Sequence, residues 1–197
     1  MSQTIILDAG PCLSFCAAAQ QRIAYDTLST IGELCAPTRV HREILHKSEA
    51  DPRFRAAARN WNTLVAASRI RILPDTPTPE LNRIMMALQG VDVVERLRHG
   101  KDSGETMVIA HALALREAGT EVIVLIDDGA GARTANRFGL RLINTPMVLR
   151  LAARRGIIKD RAHMRKIYSL LRPLDDGLVD IHQTEPNLLD PNLFIAS

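Results

Sequence analysis

The chain has 197 residues, 46% of them hydrophobic and 24% charged, with a formal net charge of +3. Such usage supplies apolar side chains for a substantial core and excludes a disordered chain. Three cysteines without zinc-like spacing argue against a disulfide framework, and no apolar run approaches membrane-spanning length. MSQTIILDAG has no basic start of the kind that opens a signal peptide, so a cytoplasmic protein away from membranes is expected.

In chain order, Thr4–Leu7 is a short apolar run that predicts a buried strand, with Asp8 at its C-terminal edge. Ala9–Gly10 makes the turn, and Pro11 suits the first position of a helix through about Ala19. Cys12 and Cys16 share a face of that helix and are expected to pack in the core. A second helix is expected over 22–34 and a short strand over 34–36, stopped by Pro37. Thr38 is placed to cap a helix through about Lys47, with Val40, Ile44 and Leu45 apolar and Glu43 near the inner edge. His41 and His46 on that helix have no evident partner.

A helix from Asp51 to about Ser68, a strand over 69–73 and the proline-rich loop DTPTPE follow. Residues 80–98 are amphipathic, with Gly90 dividing them into two helices. The stretch from Asp102 to Leu140 reads as helix, strand and helix. Glu105 opens the first helix just after Gly104, and Asp127 and Asp128 stand where the strand 121–126 runs out. A short strand over 140–143 precedes a helix capped by Asn144–Thr145–Pro146. A last basic helix runs from Asp160 to about Leu171, and the tail 173–197 is acidic and proline-punctuated. A single domain over 1–172 with a C-terminal extension is the expected organisation.

The charge is unevenly distributed. Residues 129–172 hold eleven Lys or Arg and one acid, Asp160, whereas the remainder is net negative by seven. A clustered basic face attracts polyanions. Strands alternating with helices predict a three-layer α/β/α sandwich with a mostly parallel central sheet. In such sheets ligands bind at the carboxyl ends of the strands, where Asp8 and Asp127 fall, and Glu43 and Glu105 are placed to lean over the same edge. Four converging carboxylates repel one another unless a cation joins them, and an oxygen-only set favours Mg²⁺ or Mn²⁺ over Zn²⁺. A divalent ion beside a basic face suits the cutting of phosphodiesters.

Four blocks carry a resemblance. They are IILDAGP (5–11), VHREIL (40–45), DSGETMVIAHAL (102–113), and VLIDDGAGARTANRFGL (124–140) followed by NTPMVLRLAARRGII (144–158). In this order they resemble PIN-domain proteins of the VapC-like type, the ribonuclease toxins of type II toxin–antitoxin pairs. The resemblance implies metal-dependent endoribonuclease activity with Asp8, Glu43, Glu105 and Asp127 as the catalytic acids. It implies Asp8, Glu105, and Asp127 or Asp128 as ligands of Mg²⁺ or Mn²⁺; spacing does not choose between the adjacent aspartates. Asp102 and Thr145 would support these ligands, and Arg133, Arg137, Arg154 and Arg155 would hold RNA phosphates. Homodimerisation and a cognate antitoxin are implied as well, with the paired helices around 80–98 and the small-residue helix 12–19 as contact surfaces.

Rival expectations are a PIN-fold RNA-processing nuclease without an antitoxin, and a non-catalytic PIN scaffold. A haloacid dehalogenase-like phosphatase would want an aspartate where Gly10 stands, and a phosphotransfer receiver would want its acidic pair after the first strand. Neither pattern is present.

Overall fold

Ile5, Ile6 and Leu7 form an unbroken apolar run, and in the computed structural model they lie in the central strand of a five-stranded sheet. The structure describes residues 3–98, 103–127, 129–175, 177–185 and 187–194. Strand β1 (Gln3–Leu7) leads into helices α1 (Ala9–Ala17) and α2 (Gln21–Leu28), then β2 (Glu33–Pro37) and α3 (Thr38–Ala50). A single 3₁₀ turn (Pro52–Phe54) precedes α4 (Ala57–Ala66), β3 (Arg71–Leu73), α5 (Pro79–Gln89) and α6 (Val93–Arg98). The chain continues with α7 (Ser103–Glu117), β4 (Glu121–Leu125), α8 (Gly129–Arg137), β5 (Arg141–Ile143), α9 (Thr145–Arg154) and α10 (Arg161–Leu171).

All strand pairs are parallel, in the order β3-β2-β1-β4-β5. β1, β2 and β4 are each buried at four consecutive positions, which requires helices over both faces of the sheet. α7 lies against β1, β2 and β4, while α1 packs with α2, α3 and α4. The expected three-layer α/β/α sandwich is therefore present, with a sheet that is wholly parallel.

The strand order turns outward in both directions from β1 and β4. The chain moves from β1 to β2 and β3 on one side, then crosses back to β4 and β5 on the other. Adjacent strands whose following connections leave in opposite directions open a crevice at their carboxyl ends. The backbone N–H of Asp8 donates to the Leu125 carbonyl at 3.1 Å, and that of Ile126 to the Ile143 carbonyl at 3.1 Å. The ladder thus stays in register up to the residues that follow the strands.

Several local expectations are corrected. α1 begins at Ala9, because the Asp8 side chain caps it by accepting from the Gly10 N–H, so Pro11 sits within the first turn. α2 ends at Leu28, six residues short of the expected limit. Thr38 does not cap α3: its hydroxyl donates to the Leu73 carbonyl at 3.1 Å and ties the helix start to β3. His41 has a partner, accepting at Nδ1 from the Trp61 indole N–H at 2.9 Å. In α1, Cys12 through Cys16 are buried, while at and just past its end Ala17 and Ala18 are half-buried and Ala19 is exposed. Both helices of the 80–98 arm form as read, with Gly90 in the left-handed region (φ 72°) between them.

The tail is more integrated than its composition suggested. Leu188, Leu189 and Leu193 are buried in the core, and the Tyr168 hydroxyl donates to the Val179 carbonyl at 2.8 Å. Among the described residues, no helix is long and apolar enough to cross a membrane.

Candidate active site

A cavity of about 570 Å³ opens at the carboxyl ends of β1 and β4. Its wall includes Asp8, Glu43, Glu105 and Asp127, contributed by β1's end, α3, α7 and β4's end. Asp8 is buried, and the first turn of α1 fixes its carboxylate by the capping bond from Gly10. Burial pushes the Asp8 carboxyl up to about 6, aided by the nearby charge of Glu43. Asp127 accepts from the Thr145 N–H at 2.6 Å and from the Thr145 hydroxyl at 2.5 Å, so the start of α9 orients both of its oxygens. Burial raises Asp127 to about 7 against those two donors, and the adjacent Asp175 adds to the rise.

The Cys12 thiol lies close enough to both aspartates for their charges to reinforce burial in raising its pKa. Cys12, Cys16 and Cys35 are free and buried, as core packing requires.

Two glycines make room for the glutamates. A Cβ on Gly104 would stand 2.6 Å from Oε2 of Glu43, and one on Gly131 would stand 2.4 Å from Cδ of Glu105. Both distances are shorter than side chains tolerate, so a carboxylate on α3 packs against the first turn of α7. Likewise a carboxylate on α7 packs against the first turns of α8. These contacts explain why residues without a side chain stand at 104 and 131.

The expected four-acid cradle is nevertheless not closed. Among the described residues, no three His, Cys, Asp or Glu side chains are gathered so as to hold a metal ion as they stand. Like charges repel at short range, and two of the acids are drawn toward other groups. The Lys47 ammonium pairs with Glu43 at 2.9 Å, and Thr145 holds Asp127. Lys47, which lines the cavity one helical turn after Glu43, was not singled out from sequence. Asp128 and Asp102 lie outside the described residues.

The donor chemistry still fits a hard cation. Oδ2 of Asp175, in the same cavity wall, is buried without a hydrogen-bond partner. A buried anionic oxygen lacking a donor needs a proton or a cation.

The four arginines named from sequence do not share one place. Arg133 is exposed near the start of α8, with Nη1 beside Gly129 at the cavity wall. Arg137, at the far end of α8, stacks over Phe138 at 5.0 Å. Arg154 and Arg155 end α9, about 14 Å along the axis from Thr145 at the helical rise. Arg155 also donates to the Thr27 carbonyl of α2. Expecting Arg154 and Arg155 at the acids overlooked that α9 points away from the cavity it begins at. Arg53, which lines the cavity and pairs with Asp51 at 2.8 Å, was not singled out from sequence. Its only signal was adjacency to the Asp51–Pro52 helix start.

The PIN-domain family matches residues 4–173, a span that takes in all four acids and, apart from Gln3, every strand. This chain belongs to the PIN-domain family. PIN domains are in general nucleases, which gives this chain a coarse nuclease reading. No curated protein and no solved structure matches the chain. The PIN match ends at residue 173, just before Asp175. Asp175 is the functional candidate that sequence reading missed, because nothing in an acidic, proline-punctuated tail indicates that it folds back onto the site.

Proposed function

We propose that this PIN domain is a divalent-cation-dependent endoribonuclease, and that it serves as the toxin of a toxin–antitoxin pair. One observation carries the first part: Asp8, Glu43, Glu105 and Asp127 come from four separate elements to line one cavity between β1 and β4. The donor set is oxygen only, which suits Mg²⁺ or Mn²⁺. Asp8, Glu105 and Asp127 would hold the ion, with Glu43 beside them. Bound there, it would supply a more acidic water and stabilise charge on phosphoryl oxygens.

The chain's own groups do the positioning. The Gly10 N–H fixes Asp8, and Thr145 fixes Asp127 through both of its oxygens. Lys47, Arg53 and Arg133 place positive charge at the rim, where an RNA phosphate would approach. The test is a mixed RNA pool incubated with Mg²⁺, with Mn²⁺ or with excess EDTA, the cleavage sites being read by sequencing. Cleavage that requires the cation is expected; equal cleavage in EDTA overturns the reading.

The toxin role rests on the VapC-like resemblance, and we extend it to a homodimer neutralised by a cognate antitoxin. Met86 on α5 and Val94 on α6 are 52% and 41% exposed and offer apolar anchor points for such a partner. Growth arrest on expression, relieved by a small neighbouring reading frame, would separate a toxin from an RNA-processing nuclease. A non-catalytic scaffold is the second reading, favoured by the open arrangement of the acids and by the Lys47–Glu43 pair. Any cation-dependent cleavage abolished by Asp8→Asn removes it.

A further inference from the structure

Downstream of α10 the chain turns back over the sheet edge. The Ser14 hydroxyl, in α1, donates to the Leu174 carbonyl at 3.4 Å and to the Gly10 carbonyl at 3.2 Å. The segment is thereby docked on the helix that Asp8 caps. The next residue, Asp175, enters the wall of the acidic cavity. Its Oδ1 accepts from the Gly177 N–H at 2.9 Å, which sets the orientation of the carboxylate. Its Oδ2 is buried and has no hydrogen-bond partner. The group it faces is Asp127, another acid.

Two carboxylates turned toward each other are held together only by a shared proton or a cation between them. The lysine and arginine lining the same cavity are directed to other acids, Lys47 to Glu43 and Arg53 to Asp51. Asp127 already receives both Thr145 donors. What the Asp127–Asp175 pair lacks is a positive centre between them. Beyond Asp175 the tail is held by Tyr168 and by the buried leucines 188, 189 and 193, so the carboxylate is kept there by packing on both sides.

We propose that Asp175 is an additional acid of the cation site, delivered by the segment beyond the PIN match, and that it acts with Asp127 to bind the divalent ion. The inference rests on the cation-dependent reading of the cavity. It makes the C-terminal segment a working part of the site, so a chain cut at residue 173 would lack one of its cation-binding groups.

Mn²⁺ binding to the full chain, followed by titration calorimetry and by electron paramagnetic resonance of the free ion, tests it without reference to activity. Asp175→Asn keeps an acceptor for Gly177 and removes the charge; Glu185→Gln, an exposed tail acid, is the control. The Mn²⁺ Kd is expected to weaken by about tenfold to a hundredfold in Asp175→Asn and to stay unchanged in Glu185→Gln. In metal-free protein, Asp175→Asn is expected to melt no lower than wild type, since it relieves a like-charge contact, and this also checks that the variant folds. Tight Mn²⁺ binding by wild type with equal binding by folded Asp175→Asn overturns the role of Asp175 and leaves the nuclease reading standing. Wild type that binds no Mn²⁺ overturns the cation reading itself.

Discussion

Asp75 and Asp127 each stand two residues beyond the end of a parallel strand, β3 and β4, yet their surroundings are opposite. Asp75 is enclosed by donors: the Arg39 N–H of α3 reaches Oδ2 at 2.5 Å, and His111 Nε2 of α7 reaches Oδ1 at 2.9 Å. Its side chain is 6% exposed and that of His111 11%. Asp127 has two donors as well, but it also faces Asp175, and its carboxyl is held up at about 7. The strand end makes an acid available, and the neighbouring elements decide what it does. At β3 the helices close around the aspartate and make it a tie between α3 and α7. At β4 another acid approaches it, and the site stays short of positive charge.

The largest difference between the two regions should appear under substitution. Asp8→Asn is expected to lower RNA cleavage by more than about a hundredfold, because altering groups that merely orient metal ligands already costs about 10- to 100-fold. The asparagine can still cap α1, so its circular dichroism and melting should remain native. Asp75→Ala is expected to do the reverse. It removes the acceptor of His111 and of the Arg39 amide and should cost about 2–3 kcal/mol of stability in denaturant unfolding. Activity per folded molecule should be kept. If Asp75→Ala abolished cleavage without unfolding, the division between the two aspartates would fail.

The pH dependence of stability sharpens the same contrast. A carboxyl whose folded pKa is raised binds protons more tightly in the native state, so its stabilising effect is complete below the unfolded value near 4. That contribution is lost as pH rises through about 6 for Asp8 and about 7 for Asp127, both raised chiefly by burial. Metal-free protein should therefore lose stability between about pH 4 and pH 7, by at most about 3 kcal/mol from Asp8. Asp8→Asn should flatten the curve, and Mn²⁺ at pH 8 should restore wild-type stability. A melting temperature independent of pH over this range would contradict the burial of ionisable acids.

Gly104→Ala probes the packing of Glu43 with a smaller effect. Alanine in a helix ordinarily stabilises by about 0.5–1 kcal/mol relative to glycine. Here its Cβ would meet the far end of the flexible Glu43 side chain at 2.6 Å, so the carboxylate yields and the helix survives. Cleavage is expected to fall by about tenfold while the melting temperature holds or rises. A fall in both would mean that the glycine serves the fold rather than the site.

Much of this was legible because strand and helix periods were strong. The apolar runs ending at Leu7 and Leu125 placed Asp8 and Asp127 at one sheet edge, and Thr78, Asn144 and Asp160 marked three helix starts by side-chain capping. Long-range closure was not legible. Thr38 reads as a cap, yet it bonds Leu73, 35 residues away. Asp75 reads as a loop residue, and only the approach of His111 makes it a tie. Asp175 belongs to a segment whose composition gives no period, and Lys47 was overlooked although its i,i+4 spacing to Glu43 stood in the sequence. Such contacts depend on how elements meet, which local pattern does not encode.

The subtlest contrast lies in the arginines, where charge alone misled. Arg133, one turn into α8, lies beside Gly129 at the cavity wall, whereas Arg154 ends α9 about 14 Å along the axis from Thr145, which holds Asp127. An arginine that holds a substrate phosphate contributes to the salt dependence of binding, and one on a remote surface does so only through its general field. Arg133→Ala should weaken binding of a catalytically inactive protein to short single-stranded RNA and reduce the slope of log K against log salt by about 0.7. Arg154→Ala should leave both nearly unchanged for RNA spanning only the cavity, and should weaken binding only when the RNA is long enough to reach the end of α9. Equal losses on the short RNA would mean that the whole basic face acts as one electrostatic field. A loss confined to Arg133 would mean that the path of the strand is set where α8 begins, beside Glu105 and Asp127.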